Sequence, residues 1–370
     1  MQQSVAILFQ LLRAALHPEH PEAPQWQGSV DWAAVYRLAT EQGVTAIAWD
    51  GLTRMRDEGM LSSEMDLPRT LKLQWAMQVE QIEKRNLKAD QAVAKVFGIL
   101  KRDGFQALLL KGQGLSRLYP SPSKRISGDI DVWVFAERKV IIDYVRQERP
   151  SCRPVYHHVD AAVGGEHSVE VHFSPTWMYG FVTNRRLKRF FSETADVQFK
   201  PSQSVCIAGE SIPIPTATFN SVYILIHLYR HLFDEGIGVR QLLDYYYVLN
   251  HRSEIESVTC ALWIKRLRLT RFAGAIAYVL NQWLDMPKDW LPIEPNETLG
   301  RPLMAEILAS GNLGKFGLGI SVARQPNRMK RAWMKLRRNM TFVYAYPSEV
   351  LAAPFFKLWH YLWRKWYGWT

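Results

Sequence analysis

The sequence predicts an α+β fold, a mixed-sheet core flanked by an N-terminal and a C-terminal helical region. Three observations carry this. The first hundred or so residues place apolar side chains at helical spacing. From Phe105 to about Glu210 the pattern turns into short alternating runs broken by glycine and proline. From Thr216 onward helical spacing returns. A chain of 370 residues exceeds one compact core. We divide it into an N-terminal helical region (1–104), a sheet core (105–214), a C-terminal helical domain (215–325) and a basic, aromatic-rich C-terminal segment (326–370).

In order, Val5 to Leu16 is apolar at helical spacing and stops at His17-Pro18. Asp31 is a fitting N-cap for a helix from Trp32 to Gln42, with Gly43 as its stop. Thr45 to Met55 reads as another helix, and Leu71 to about Lys101 as a long one. Leu73, Trp75, Val79, Ile82, Ala92, Val93, Val96, Phe97 and Leu100 form its apolar stripe. The core reads as strand Gln106 to Leu110, helix Leu115 to Tyr119, strand Gly128 to Phe135 and helix Arg138 to Gln147. Strand Pro154 to Asp160, a Gly164-Gly165 turn and strand Ser168 to Phe173 follow. Val197 to Phe199, Val205 to Ile207 and Ile212 to Ile214 read as short strands. Thr216 caps a helix to Phe233, and Gly236-Ile237-Gly238 separates it from Val239 to Leu249. Ser257 to Leu267, Arg271 to Leu284 and Leu303 to Ser310 continue the helices. A link rich in glycine (Gly311, Gly314, Gly317, Gly319) leads to the last segment.

Composition narrows the function. With 48% apolar and 22% charged residues the chain is globular rather than disordered. Cys152, Cys206 and Cys260 show no paired spacing, so neither a disulfide framework nor a zinc site is expected from them. No signal peptide or run of roughly 20 apolar residues is legible. The expected location is the cytoplasm, with the inner face of the membrane as a peripheral alternative. A formal charge of +11 calls for an anionic partner: nucleotide, nucleic acid or lipid headgroup.

The chemistry centres on Leu108 to Phe135. An apolar run ends in Lys111-Gly112-Gln113-Gly114, a short helix and a Pro/Ser loop follow, and the stretch closes on Gly128-Asp129-Ile130-Asp131. Asp129 and Asp131 share a strand face one pleat apart, where they can hold one divalent cation. Stability alone would favour threonine or valine there, since neighbouring carboxylates repel. In Val169-Glu170-Val171-His172-Phe173, Glu170 and His172 likewise share a face.

This order of strand, glycine turn, short helix, Asp-x-Asp strand and later carboxylate strand resembles the DNA-polymerase-beta-like nucleotidyltransferase superfamily. The Lys-Gly pair, the Tyr119-Pro120 turn and Arg125 before Asp129-Ile130-Asp131 are similar to the uncharacterised bacterial nucleotidyltransferase family. The abortive-infection-type toxin nucleotidyltransferases are similar here too. The resemblance implies a polymerase-beta-like core and Asp129, Asp131 and Glu170 as catalytic and metal-binding residues. It also implies Mg²⁺ as cofactor, with Mn²⁺ as a substitute, in two ions about 3.5–4 Å apart. NTP is then the donor, an unknown hydroxyl the acceptor and pyrophosphate the product. Lys111, Gly112, Gln113, Arg125 and Ser127 are the expected nucleotide- and phosphate-binding residues, with Gln113 where the superfamily has serine or glycine. For Ser127 the alternative is shaping the turn.

His227, Arg230 and His231 fall on one helix face, with Arg240 and Asp244 at i, i+4 on the next. His172, His227, Arg230, His231 and Arg240 are expected to form a wall for base or acceptor. The alternative is a polar network tying the two helices, held by an Arg240–Asp244 pair. The basic cluster Arg328, Lys330, Arg331, Lys335, Arg337 and Arg338 precedes an aromatic tail, Phe355 to Trp369. That tail suits an anionic membrane, nucleic acid or burial against the helical domain. Two further readings stand beside the enzyme: a catalytically silent scaffold of a membrane-associated assembly, such as one making surface glycans, and a tRNA-modifying toxin.

Overall fold

The computed structural model describes residues 2–17, 19, 23–26, 28–61, 67–163, 165–200, 203–312 and 328–367. Four helices come first: α1 (Gln2–Leu16), α2 (Trp32–Glu41), α3 (Thr45–Asp57) and α4 (Arg69–Arg102). The core follows as β1 (Ala107–Leu109), α5 (Gln113–Ser116), β2 (Ile130–Val134), α6 (Arg138–Glu148), β3 (His158–Ala161), β4 (Val169–His172), α7 (Phe181–Phe199), β5 (Ser204–Ile207) and β6 (Glu210–Pro213). Then come α8 (Ala217–Asp234), α9 (Val239–Asn250), α10 (Ser257–Arg266), α11 (Thr270–Leu284), α12 (Glu297–Ser310), α13 (Arg328–Met340) and α14 (Pro347–Trp366). The fold is α+β. Among the described residues no helix is long and apolar enough to cross a membrane.

The main sheet has the order β1-β2-β4-β3. β2 runs parallel to β4 and antiparallel to β1, and β3 is antiparallel to β4. All five residues of β2 are buried, so both its faces are covered. Ile130, Val132 and Val134 pack with Val96, Phe97 and Leu100 of α4 and Ile141 of α6. The opposite face carries Asp131 and Trp133, and Trp133 stacks on Phe219 of α8 at 5.7 Å. The period of two thus sends the hydrocarbon face to the long helix and the carboxylate face to the second helical region.

The helices before and after the sheet share one apolar cluster, from Leu8 and Leu12 through Tyr223, Leu242 and Ile276 to Val350. Phe9 meets Trp283 edge to face at 4.9 Å. α1 and α3 approach so closely that a Cβ on Gly51 would stand 1.8 Å from the Leu11 carbonyl oxygen. Glu349 of α14 is buried and accepts from Tyr179 N (2.7 Å), Gly180 N (3.0 Å) and Thr183 Oγ1 (2.9 Å). That satisfied carboxyl pins α14 to the start of α7.

Several expected elements differ. Val197 to Phe199 is not a strand but the last turn of α7, whose Thr183, Leu187, Phe190 and Phe191 repeat at helical spacing on the buried side. β3 is shorter than Pro154 to Asp160 and shifted toward its C-terminal end. α5 starts at Gln113, and α12 starts at Glu297, capped by Asn296, with Pro302 inside it. α14 starts at Pro347 and runs through Pro354. Pro18, Gly164, Gly314, Gly317, Gly319 and Trp369 lie outside the described residues.

Candidate active site

The register of β2 and β4 builds the centre. Asp131 and Glu170 are directly paired across these parallel strands, and Trp133 is paired with His172. Neighbouring strands lie about 4.8 Å apart, so the two carboxylates face the same space. Asp129 enters one pleat earlier, where Ile130 N still bonds Ser168 O at 2.9 Å. These three carboxylates line a cavity of about 160 Å³, whose walls also include Lys111, Gly112, Arg125, His227, Arg230, His231, Arg240 and Asp244. A larger groove of about 770 Å³ between α2 and α4 is mainly apolar and amide-lined, with Arg85 as its charged residue. The chemistry-bearing groups belong to the smaller cleft.

Asp131 is buried between two donors. Lys111 Nζ is 2.8 Å from its Oδ1, and His172 Nε2 is 3.1 Å from the same oxygen. Burial opposes the charge of Asp131, but Lys111 and His172 outweigh it and hold the carboxyl well below its usual range. His172 Nε2 also lies 3.3 Å from Glu170 Oε2. Burial would raise Glu170, yet the His172 hydrogen bond brings it down. His172 is itself disfavoured as a cation by burial, but Asp131 and Glu170 raise its pKa. Asp129 stands at the cleft mouth with the opposite balance: partial burial and the charges of Glu170 and Asp131 push it up.

Gly112 has φ +57°, and a Cβ there would meet the Asp129 carbonyl oxygen at 3.3 Å. The glycine therefore lets the turn after β1 close against the Asp-x-Asp strand. Three expected phosphate contacts are corrected. Gln113 is buried against α4, its Nε2 2.5 Å from Asp90 Oδ1 and 3.4 Å from Asn86 O, so its amide faces away from the cleft. Arg125 lines the cleft, but its charge is spent: Nε and Nη2 hold both oxygens of Asp244 at 2.6 and 2.8 Å. Ser127 lines the α2–α4 groove, not the carboxylate cleft. The expected Arg240–Asp244 pair also gives way. Asp244 serves Arg125 and Tyr119 (Oη to Oδ1, 2.8 Å), while Arg240 Nη1 donates to Ile126 O at 3.0 Å.

His227, Arg230, His231 and Arg240 do share the cleft with the carboxylates. The two histidine rings of α8 lie edge to face at 4.2 Å. Burial lowers both, so they are neutral walls. Arg230 bonds Asp234 at 3.0 Å and lies over the Trp177 ring at 4.1 Å.

The sequence reading did not single out His157 and His158. The structure places both against Glu170 and His172, with one ligand atom from each of the four within 4.8 Å of the others. The signal was present: a histidine pair at a strand start, beside a strand carrying Glu-x-His.

The donor set of Asp129, Asp131 and Glu170 fits a hard divalent cation, which takes carboxylate oxygens and keeps water ligands. The raised pKa of Asp129 and its crowding by two carboxylates are relieved by such a charge.

Among curated proteins none matches the chain. The crystal structure of an antigenic nucleotidyltransferase-like protein from Paracoccidioides brasiliensis is similar at 12% identity and a TM-score of 0.33, covering 58% of this chain and 97% of that one. So slight a likeness carries no argument. The sequence model of the uncharacterised nucleotidyltransferases matches residues 28–285, from before α2 to the end of α11 and so across every wall of the cleft; the chain belongs to that family.

Proposed function

We propose that the protein is a Mg²⁺-dependent nucleotidyltransferase moving a nucleoside monophosphate from an NTP to a hydroxyl acceptor. The observation that carries this is the register pair Asp131–Glu170, with Asp129 one pleat away, facing a cleft walled by cationic side chains. Membership of the family supports the general reaction. The acceptor oxygen forms a bond to the α-phosphorus, the bond from that phosphorus to its bridging oxygen breaks, and pyrophosphate leaves. Two Mg²⁺ ions, or Mn²⁺ in their place, supply charge neutralisation on the phosphates and acidify the acceptor hydroxyl. Asp129, Asp131 and Glu170 hold them. Lys111, Arg230 and Arg240 line the cleft and present positive charge to the triphosphate oxygens, Lys111 and Arg230 on giving up part of their pairing with Asp131 and Asp234. Glu170 takes the acceptor's proton, and His172 fixes the orientation of Glu170 and Asp131 through its shared Nε2.

The test is transfer of label from α-phosphate-labelled NTPs, each in turn, to components of a cell extract with Mg²⁺ or Mn²⁺. The wild type labels a discrete acceptor and Asp131→Asn does not. The labelled species identifies the acceptor class, a tRNA included. Label no higher than in Asp131→Asn, with every NTP and either ion, removes the reading.

A further inference from the structure

Of the three histidines behind the carboxylates, His157 and His158 are not used by this chemistry, and His172 serves it only by orienting Asp131 and Glu170. His157 Nε2 lies 3.1 Å from His158 Nδ1, His158 Nδ1 lies 3.2 Å from Glu170 Oε2, and His172 Nε2 lies 3.3 Å from the same oxygen. The three rings are mutually close, with centroids 4.3, 5.0 and 5.1 Å apart. Two imidazoles on one carboxylate oxygen, with a third against them, gain little for stability, because each must surrender hydration on burial. Zinc sits about 2.0–2.1 Å from each nitrogen or oxygen in a tetrahedral site, which puts its ligand atoms about 3.3–3.4 Å from one another. Three successive separations here, 3.1, 3.2 and 3.3 Å, come close to that length, and all four ligand atoms lie within 4.8 Å of one another.

We propose that His157, His158, Glu170 and His172 form a second cation site, selective for a borderline transition ion of the zinc class and distinct from the carboxylate site for Mg²⁺. Three nitrogens and one oxygen are a donor set such an ion takes and Mg²⁺ avoids. The backbone holds the set in place. Phe173 N and Ser174 N both donate to the His157 carbonyl, at 3.1 and 3.3 Å, fixing the entry to β3 against the exit of β4. Asp160 Oδ1 lies 3.6 Å behind His158 Nε2, where a carboxylate favours the tautomer whose Nδ1 lone pair turns to the site. Trp177 covers His157, with centroids 4.1 Å apart, and keeps that side dry. Glu170 is 23% exposed and opens the site toward the cleft.

Glu170 belongs to both sites, since a carboxylate has two oxygens to give. An ion held on the histidine side fixes Glu170 in the orientation the cleft requires. His172 Nε2 gives up its proton and its bond to Asp131 when the ion enters, since a ligating imidazole nitrogen is deprotonated. His157 and His158 lie outside the transfer chemistry, so the test on them is separate from the test of that reaction.

The test uses the full chain, stripped by a chelator and titrated with Co²⁺. One equivalent should develop the intense visible bands of a tetrahedral, nitrogen-rich cobalt site. Zn²⁺ should abolish them and excess Mg²⁺ should leave them intact. His157→Gln and His158→Gln should each weaken binding by more than the roughly 10–100-fold that losing an outer-shell partner costs. Asp129→Asn should keep the bands, which separates this site from the carboxylate one. Pale octahedral spectra at one equivalent overturn the proposal, as do bands that survive both histidine substitutions or vanish in Asp129→Asn. Should a histidine variant fail to fold, the wild-type spectrum and the Asp129→Asn result still decide.

Discussion

Asp131 lies inside the sheet against Lys111 and His172, whereas Asp129 stands at the mouth among like charges. Substituting either by asparagine should cut nucleotidyl transfer by on the order of 10²–10⁴ or more. In the metal-free protein their effects on stability should have opposite signs. Asp131→Asn leaves Lys111 and His172 without their shared partner. The cost should be roughly 1–3 kcal/mol, less than the ~3–5 for a fully buried pair because Lys111 keeps some contact with water. Asp129→Asn removes a repelled charge and should raise the melting temperature. The pH dependence follows from the sign. The folded-state pKa of Asp129 lies above its unfolded value, so its ionisation costs stability as pH rises through that window. The gain from Asp129→Asn should therefore be absent in acid and full at neutral pH, as thermal unfolding of both chains across pH would show. Equal destabilisation by the two substitutions would mean that the mouth carboxylate is not crowded.

At the scale of elements, the loop between α5 and β2 is held to α9 by a buried ion pair, Arg125 with Asp244, backed by Tyr119. Asp244→Asn should destabilise the chain by about 3–5 kcal/mol without any nucleotide present, because Arg125 is left buried without its counter-charge. Burial opposes the ionised form of Asp244, but Arg125 brings its pKa below the usual value. Its contribution is therefore present above the unfolded carboxylate range and lost as pH falls toward the folded pKa. A combined Arg125→Met, Asp244→Leu chain should recover much of the loss. Chemical denaturation of the single and double variants measures both effects, and a neutral Asp244→Asn would refute the structural role. Sequence read Arg125 differently, and the reason is physical. A motif shows that an arginine precedes Asp-x-Asp but not that a carboxylate 119 positions later takes its charge. Gln113 failed in the same way, because the face a one-turn helix presents depends on α4, whose Asp90 claims the amide. The strand parity of Asp129, Asp131, Glu170 and His172 was legible because a period of two needs no tertiary information. α7 was not read, since its closing Val197-Gln198-Phe199 alternates like a strand and hides the helical repeat behind it.

At the scale of the whole molecule, α14 is two-faced. Val350 and Ala353 are buried, Phe356 meets Tyr156 edge to face at 5.2 Å, and Trp363 lies 4.5 Å under the Arg138 guanidinium. The other side carries Leu351, Phe355, Leu358, Leu362 and Trp366, a stripe at helical spacing, with Phe355 75% and Trp366 86% exposed. Exposed apolar stripes of this size mark interaction surfaces. Cutting the chain at Ala353 would remove packed residues together with exposed ones, so substitution is the cleaner test. Phe355→Ser, Leu362→Ser and Trp366→Ser together should leave the melting temperature nearly unchanged. The wild type should co-sediment with anionic vesicles and the triple variant should not. Charge near such a surface contributes about 1 kcal/mol per basic residue and is screened by salt. Lys357 is partly committed to Asp234, 3.5 Å away, which leaves the exposed Lys365 and the aromatic insertion to carry more of the binding. Salt should accordingly weaken binding without erasing it. Binding lost entirely at high salt would exclude the apolar part. Displacement of the vesicles by single-stranded RNA, with quenched tryptophan emission, would assign the stripe to base stacking instead.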